Sequence, residues 1–471
     1  MRRFALLPLI ALAGPAFAQS AQLPDPNRSA QGTVAVTIYN NNQALVQDVR
    51  QTALPNGRTT VEFPDVSAQI RAETVTIGGA DFGIVEQNFD YDLLSPSALM
   101  EKAVGQVITI VRINPATGAE TREQAKVLAA NGGVVLQIGS RIEVLRDDGL
   151  PVRVIFDKVP PNLRARPTLS VTVDSSRAGT RPVSLSYLTP GLGWKADYVA
   201  LFDEGAGKID VQGWVTLTNN SGTTYTNAET LLVAGQVGDS NNGQQPYYRP
   251  QPQRGTLVKP GTQTANRPQL GDFYLYPIKE RTTIAQAQQK QVSFLDVSGA
   301  GAAKGYEYRN AWLGTQSEAQ SADTVLRFST SRDGGLGDAL PAGAVRVYMK
   351  DAKGQPQFIG ENQIGHTPMG SALGLKTGEA FDVKVKPVVE AREKAGSSRW
   401  KTSMRYTLTN ARNAPVTIDL TQAGLDNYYD DTRIVSESQK SERRSSDEAV
   451  WKVTVPANGE AVVTAVFDTR Y

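Results

Sequence analysis

The sequence contains no cysteine and only one histidine among its 471 residues. Without thiols the chain forms no disulfide bonds, has no cysteine nucleophile and lacks the ligands of the usual structural zinc sites. A lone histidine, His366, supplies neither a multi-histidine metal site nor, without distant partners, a serine triad. We therefore expect no cofactor and no metal centre, and we expect stability to come from the burial of apolar side chains.

Long apolar runs are also missing. The run at residues 4–12 is far shorter than the roughly 20 residues of a membrane helix, and no later segment supplies one. Two arginines precede this run, and the small residues Ala16 and Ala18 follow it, which is the pattern of a secretory signal peptide. We predict that residues 1–18 are cleaved after Ala18, leaving a soluble periplasmic or secreted protein without a membrane span.

Excess charge of either sign is absent. The chain has 49 lysines and arginines against 47 aspartates and glutamates. The predicted signal peptide contains Arg2 and Arg3 and no acidic residue, so the mature chain is formally neutral. A neutral chain has no overall field to attract nucleic acid or anionic lipid, and we expect no nucleic-acid partner.

Alternation of apolar and polar residues dominates what is present. Residues 34–63 contain two alternating runs separated by Pro55-Asn56-Gly57, which predicts a hairpin at that turn. One helix is predicted in SPSALMEKAVG, where Ser95 is suited to cap and Gly105 to end it. Short strands over 105–146 indicate a small antiparallel barrel or a meander. The predicted fold class is all-β, with several antiparallel β-sandwich or small-barrel domains and one short helix.

At roughly 150 residues per domain, the length predicts about three domains. After the signal peptide we place a flexible N-terminal segment (19–33), an N-terminal β domain (34–176), a central domain (177–380) and a C-terminal immunoglobulin-like sandwich (381–471). The stretch 237–272, rich in Gln, Asn, Pro and Gly, has too few aliphatic residues to order itself and is predicted to be a mobile loop. The glycine-rich GAGAAKG (299–305) lacks the residue order of a phosphate-binding loop and is predicted to be a flexible turn.

Four sequence blocks, in order, resemble one family. They are YLTPGLGWKADYVALFD (187–203), VQGWVTLTNNSGTTYTNAETLLVAGQV (211–237), FYLYPIKERTTIAQAQQKQVSFLDV (273–297) and LPAGAVRVYMKDAKGQPQFIGENQIGHTPMGSALGLKTGEAFDV (340–383). Together with IYNNNQALVQDVR and FPDVSAQI nearer the N-terminus, they resemble the bacterial envelope proteins of domain-of-unknown-function family 4139, which includes mucoidy-inhibitor-A-like proteins. The resemblance implies an envelope protein but brings no established catalytic or binding residues. The coiled coil typical of mucoidy-inhibitor-like members has no counterpart, since no heptad repeat is sustained.

Motifs of hydrolytic or metal chemistry are weak. Ser398 and Lys401 form a Ser-x-x-Lys match on an alternating strand without its companion motifs. The acidic pairs Asp203-Glu204 and Asp430-Asp431 lack the spacing of a calcium loop, so we interpret them as solvated loop acids. His366, crowded by glycines and a proline, is interpreted as a turn histidine.

Aromatic residues are the remaining candidates for binding. They are Trp194, Tyr198, Trp214, Tyr247 and Tyr248, because aromatic faces supply contact area in carbohydrate and peptide grooves. Core packing is the alternative for Tyr198 and Trp214, and for Trp194 it is the clamping of the turn at 190–193 against a sheet. Because Trp214 opens a strand that ends in a turn, core packing is favoured for it, whereas for Trp194 neither alternative is favoured.

The function most consistent with these observations is non-catalytic binding of an envelope polysaccharide or another envelope protein. An alternative is an envelope-glycan hydrolase that uses a carboxylate pair, which needs two acids roughly 5–10 Å apart in a groove, one with a raised pKa. A third possibility is a scaffold whose exposed strand edges pair with partners.

Overall fold

The computed structural model describes residues 29–90, 92–145, 152–160, 163–235, 257–264, 267–426 and 430–470. These ranges contain thirty β-strands, one α-helix and one turn of 3-10 helix. The prediction of an all-β fold with one short helix is therefore confirmed. Neither helical segment in the described ranges has the length and apolar character needed to cross a membrane.

The strands and helices are named in chain order, first those up to the end of β12 and then those that follow it. The first group comprises β1 (Thr33–Tyr39), β2 (Gln43–Leu54), β3 (Gly57–Pro64), the 3-10 turn (Ala72–Thr74), β4 (Thr76–Gly78), β5 (Phe82–Asp90), α1 (Pro96–Lys102), β6 (Val107–Ile113), β7 (Glu120–Ala129), β8 (Val134–Ile138), β9 (Arg141–Leu145), β10 (Val152–Ile155), β11 (Thr168–Ser175) and β12 (Gly179–Pro190). The second group comprises β13 (Leu192–Asp203), β14 (Lys208–Asn219), β15 (Tyr225–Ala234), β16 (Leu257–Lys259), β17 (Gln269–Leu270), β18 (Phe273–Pro277), β19 (Thr282–Ile284), β20 (Gln288–Asn310), β21 (Gln320–Ser329), β22 (Gly343–Lys350), β23 (Pro356–Ile364), β24 (Ala372–Lys394), β25 (Arg399–Asn410), β26 (Val416–Gln422), β27 (Asp430–Glu437), β28 (Glu442–Arg443), β29 (Ala449–Val455) and β30 (Gly459–Arg470).

Helix α1 and the short strands after it form a small unit. Ser95 caps α1, its hydroxyl accepting a hydrogen bond from the Ala98 N–H at 3.1 Å, as predicted. The strands follow the order β10-β6-β7-β8-β9. They form an open meander, which decides between the two predicted alternatives, and Met100 of α1 packs with Ile110 and Leu136 in its core.

The first sheet has the order β17-β18-β15-β1-β2-β12-β4, with β19 beside β15. Strands β1 and β2 form a hairpin around residues 40–42, whereas β3 pairs with β11 in a separate three-stranded sheet. The prediction of a hairpin at Pro55-Asn56-Gly57 is therefore wrong. Both edges of β2 are occupied, by β1 and β12, so the turn after β2 moves the chain to another sheet.

The largest sheet follows the order β23-β22-β13-β14-β20-β21-β24-β25-β30-β27. Two of its strands, β20 and β24, are each 23 residues long and pass from the central region into the C-terminal sandwich. Trp451, Tyr406 and Phe467 fill the core of that sandwich, with ring centroids 5.7 and 6.4 Å from Trp451. The two long strands thereby join two hydrophobic cores.

The glycine-rich stretch 299–305 lies inside β20, so the prediction of a flexible turn there is wrong. A Cβ on Gly305 would come within 2.2 Å of the Arg327 guanidinium, and one on Gly301 within 3.1 Å of the Gly334 oxygen. Small residues here permit close approach of neighbouring chain segments rather than flexibility.

The predicted loop 237–272 is described only at 257–264 and 267–272; residues 237–256 lie outside the described residues. In the described part, β16 pairs with β24, and the Gly261 N–H donates to the Ser371 hydroxyl at 2.9 Å. Arg267 forms an ion pair with Asp338, whose two oxygens its guanidinium contacts at 2.5–2.9 Å. These residues are ordered by hydrogen bonds and one ion pair rather than by aliphatic burial.

Gly191 turns the chain from β12 in the first sheet to β13 in the largest. Its φ is 91°, in the region that favours glycine, and its carbonyl accepts a hydrogen bond from Asn220 at 2.6 Å. A Cβ at this position would lie 2.8 Å from the Ser221 Cα. The stretch PGLGW is therefore a corner between two sheets, with Trp194 buried directly after it.

A buried hydroxyl network holds this corner. The Ser67 hydroxyl lies 2.6 Å from that of Thr189 and donates to the Ser221 carbonyl at 2.9 Å. The Tyr187 hydroxyl accepts from the Ser67 N–H at 3.2 Å. All four residues are almost fully buried, so water does not compete for these hydrogen bonds. Through Ser67 they hold the segment FPDVSAQI (63–70) against the corner.

Candidate functional site

The central part of the largest sheet has one buried and one exposed face. Along β13, Trp194, Tyr198 and Phe202 face inwards, and Val199 and Leu201 face outwards. Only one face of β13 is therefore fully buried. The pairing of β13 with β14 places Trp214 opposite Asp197, on the outward face.

Trp194 and Tyr198 belong to an inner aromatic cluster with Tyr276 and Phe294. Trp194 lies 6.2 Å from Tyr276, and Phe294 lies 5.8 Å from Tyr198 and 5.9 Å from Tyr276, between ring centroids. Trp194 is 6% exposed and Tyr198 0%. The Tyr198 hydroxyl donates to the Pro341 carbonyl at 2.8 Å, and burial raises its pKa well above the ordinary value. Neither ring offers a surface to a ligand in solution, so we do not include them in the candidate site.

Trp214 is 36% exposed and lies on the outer face of the sheet. Core packing, which the position of Trp214 at the start of a strand favoured, is therefore wrong for this residue. The core is filled instead by Val215 and by Phe294, where a β-bulge in the β14–β20 pairing follows Gly213. A Cβ on Gly213 would lie 2.8 Å from the Phe294 ring, so the glycine makes room for that side chain.

Two further aromatic residues, Tyr348 of β22 and Phe358 of β23, lie on the same outer face. They are register partners across the two strands, and their rings meet edge to face with centroids 5.6 Å apart. Phe358 is 57% exposed. Sequence reasoning missed both, although a signal existed: in AVRVYMK the valines 345 and 347 alternate with Arg346 and Tyr348, which separates a buried face from an outer one.

A shallow groove of about 370 Å³ runs over this face. We call it the outer-face groove; it is lined by Val199, Leu201, Asp210, Gln212, Asp296, Ser298, Tyr348 and Pro356. Its walls combine aliphatic and aromatic carbon with carboxylate, amide and hydroxyl groups. From register and strand spacing, Trp214 and Tyr348 are two strands and four residues apart, a Cα separation of roughly 16 Å.

Charged side chains frame the groove. Arg346 contacts Asp197 at 3.2 Å and Glu361 at 2.9 Å, and Lys350 contacts Asp203 at 3.2 Å. The N–H of Ala206 and the ammonium of Lys350 stabilise the Asp203 carboxylate and lower its pKa. These pairs neutralise the surroundings of the groove, which leaves Asp210, Gln212, Asp296 and Ser298 as its polar groups.

The other candidates lie elsewhere. The acids Asp203, Glu204 and Asp431 pair with basic side chains, namely Lys350, Lys304 and Arg399. No cluster of three or more potential metal ligands occurs in the part of the chain that the structure describes. Ser398 directly precedes β25 and Lys401 lies near its start, away from the groove residues in the sheet order. Tyr247 and Tyr248 lie outside the described residues.

His366 lies in the turn after β23. Its Nδ1 accepts the Ala342 N–H at 3.3 Å, and its Nε2 lies 3.2 Å from the Asn40 amide nitrogen. Burial lowers the pKa of His366. The contacts describe a histidine that ties the 40–42 turn to the loop before β22.

The structure thus places the outer-face groove on strands β13, β14, β20, β22 and the start of β23, all within residues 192–364. A family model described as a domain of unknown function (DUF4139) matches residues 183–471. The chain belongs to this family. A search of curated proteins finds no match.

The DUF4139 region begins in β12 and so includes the corner, the whole groove and the C-terminal sandwich. The blocks IYNNNQALVQDVR and FPDVSAQI precede it. They contribute β1, β2 and the segment that fastens to the corner, so the region before the match completes the first sheet. Within the DUF4139 region, the candidate site lies on the free face of the sheet whose other face is buried against that first sheet.

Proposed function

We propose that this DUF4139 protein is exported, after cleavage following Ala18, and binds an envelope polysaccharide through the outer-face groove without catalysing a reaction. The observation that carries the proposal is the alignment of Trp214, Tyr348 and Phe358 on one exposed sheet face around a mixed polar and apolar groove. Exposed apolar patches rimmed by polar groups mark interaction sites.

The chemistry of the groove suits sugars. Aromatic rings pack against the carbon–hydrogen faces of a sugar ring, and carboxylate and amide oxygens accept hydrogen bonds from its hydroxyl groups. The roughly 16 Å between Trp214 and Tyr348 is long enough for several linked sugars rather than one. The groove contains the carboxylates of Asp210 and Asp296 and no basic side chain, so the proposal is for a neutral rather than an acidic polysaccharide.

A carboxylate pair for hydrolysis is not part of this proposal. A general acid needs a pKa raised towards neutrality. Among the described residues, the carboxyl groups with shifted pKa values, Glu73, Asp203, Asp351 and Asp431, all have the pKa lowered by hydrogen bonds. No observation on the groove favours bond cleavage.

The test is co-sedimentation of the mature chain, residues 19–471, with isolated cell-wall and capsular polysaccharides. We expect saturable binding by the wild-type chain and at least tenfold weaker binding by Trp214→Ala and Phe358→Ala, since stacked aromatic anchors dominate such contacts. Trp312→Ala is the matched control, because it also removes an exposed aromatic, one outside the outer-face groove. Equal binding by all four proteins, or no binding to any polymer, contradicts the proposal.

A further inference from the structure

Phe381 is the most exposed large apolar side chain among the described residues, at 89%. It is not part of the outer-face groove. A phenylalanine in this state loses the free energy of burial unless something covers it. Its position in the fold therefore needs an explanation.

A wide bulge in β24 turns Phe381 outwards. The pairing of β24 with β21 joins Glu379 to Asp323 and Lys384 to Ser321, so four residues of β24 oppose the single residue Ala322. Within the bulge Val383 is fully buried, whereas Phe381 points to solvent. Bulges often re-aim a side chain at a functional surface.

A cavity of about 280 Å³ opens beside Phe381. Its lining includes the apolar side chains Phe202, Tyr306, Leu326, Met349 and Ile359 together with the polar Thr324 and Thr377. It lies where β20 and β24 leave the central core for the C-terminal sandwich. An apolar cavity of about 150 Å³ holds a benzene molecule, so this one has room for a phenylalanine ring.

The rim of the cavity carries both signs of charge. Glu379, Asp382, Lys304 and Arg412 line it. Lys304 pairs with Glu204 at 3.2 Å. Within the described residues, the side chains of Glu379, Asp382 and Arg412 make no ion pair, so two acids and one base remain available to an incoming surface.

We propose that this patch is a self-association surface, in which Phe381 of one chain enters the cavity of a second copy and the second Phe381 enters the first. A protruding ring, a cavity that fits it and unpaired charges of both signs occur together on one patch. A two-fold axis brings each of these features against its complement, which is the defining property of an isologous interface. A partner of another kind would bind either the cavity or the Phe381 ring, whereas a second copy of this chain uses both at once.

The test is sedimentation equilibrium of the mature chain over a range of concentrations. We expect a monomer–dimer equilibrium for the wild type and at least tenfold weaker association for Phe381→Ala. Phe358→Ala is the matched control, since it removes an exposed phenylalanine from the outer face instead, and it is expected to associate like the wild type. A monomeric wild type, with a Kd above about 1 mM, or equal association by Phe381→Ala, overturns the proposal.

Charge variants test the orientation of the two chains. Arg412→Glu leaves the unpaired rim groups all acidic, and the double variant Glu379→Lys with Asp382→Lys leaves them all basic. Each protein alone is expected to associate at least tenfold more weakly, and an equimolar mixture is expected to recover wild-type association. Recovery supports the two-fold interface; association that is unchanged in the separate variants overturns it. Because these residues lie outside the groove, polysaccharide binding serves as an independent check of folding.

Discussion

Replacing Gly191 by alanine is expected to destabilise the corner between β12 and β13 by two separable effects. A residue with a Cβ in a left-handed conformation costs about 1–2 kcal/mol. The new Cβ also meets backbone atoms of one turn, at 2.8 Å from Ser221 Cα, 2.9 Å from Ser221 N and 3.0 Å from Asn220 C. Overpacking of this kind costs about 1–3 kcal/mol. The turn at Asn220 and Ser221 cannot move away from the new Cβ without weakening a buried hydrogen bond, because the Ser67 hydroxyl donates to the Ser221 carbonyl.

Gly57 offers a matched control for the first effect alone. Its φ is 87°, close to the 91° of Gly191, but a Cβ there would meet nothing within 4 Å. It is the first residue of β3, directly after the turn that follows β2. Leu54 of β2 and Phe63 of β3 belong to the same hydrophobic core as Leu192. Gly57→Ala should therefore report the backbone cost, and Gly191→Ala that cost plus the collision.

The assay is urea unfolding followed by tryptophan fluorescence, with Trp194 buried three residues from the substitution. We expect Gly191→Ala to lose about 1–3 kcal/mol more than Gly57→Ala, seen as a lower midpoint with an unchanged slope. Equal losses of unfolding free energy in the two variants would show that the turn at Ser221 moves away from the new Cβ without cost. That result would refute the description of the corner as rigid.

Three further predictions concern packing and charge. Trp451→Ala should lower the stability of the C-terminal sandwich by about 3–5 kcal/mol in thermal unfolding, and Trp451→Phe by less, because the indole is fully buried; a loss below about 1 kcal/mol for alanine would contradict this. Asp338→Ala should cost about 2–4 kcal/mol, since it leaves the half-buried Arg267 guanidinium, 4.3 Å from the Tyr276 ring centre, without its carboxylate; an unchanged urea midpoint would be inconsistent with that pairing. For His366, burial lowers the pKa below the ordinary 6.5, so the unfolded chain takes up the proton first, and stability is fully present above about pH 6.5 and declines as the pH falls through that value. His366→Gln should reduce this decline, measured from urea midpoints between about pH 7.5 and 5.5, and an identical decline in both proteins would exclude the histidine as its source.

Local features of the fold were predictable from the sequence, because they depend on neighbouring residues. The short strands predicted over 105–146 correspond to β6, β7, β8 and β9, and Ser95 located the start of α1. The turn at 55–57 was recognised as a turn but assigned the wrong partner strands. Pairing depends on which edges are already occupied, and that is a property of the whole sheet.

The faces of the central sheet were less predictable. Alternation shows that Trp214 and Val215 point to opposite sides of β14, but not which side is covered by the first sheet. The missed pair, Tyr348 and Phe358, lies far along the chain from Trp214, on strands that join β13 through a parallel crossover. Only the three-dimensional pairing of β13 with β22 brings them to the same face.

The central claim is that polysaccharide contacts the outer face of the sheet, and hydroxyl-radical footprinting measures this directly. In the mature chain bound to the polymer that it retains, we predict that Trp214 and Phe358 become protected from oxidation. Trp312 and Phe381, which are 50% and 89% exposed elsewhere on the chain, should remain as reactive as in the free protein. Protection of Trp312 or Phe381 while Trp214 and Phe358 stay reactive would contradict the account.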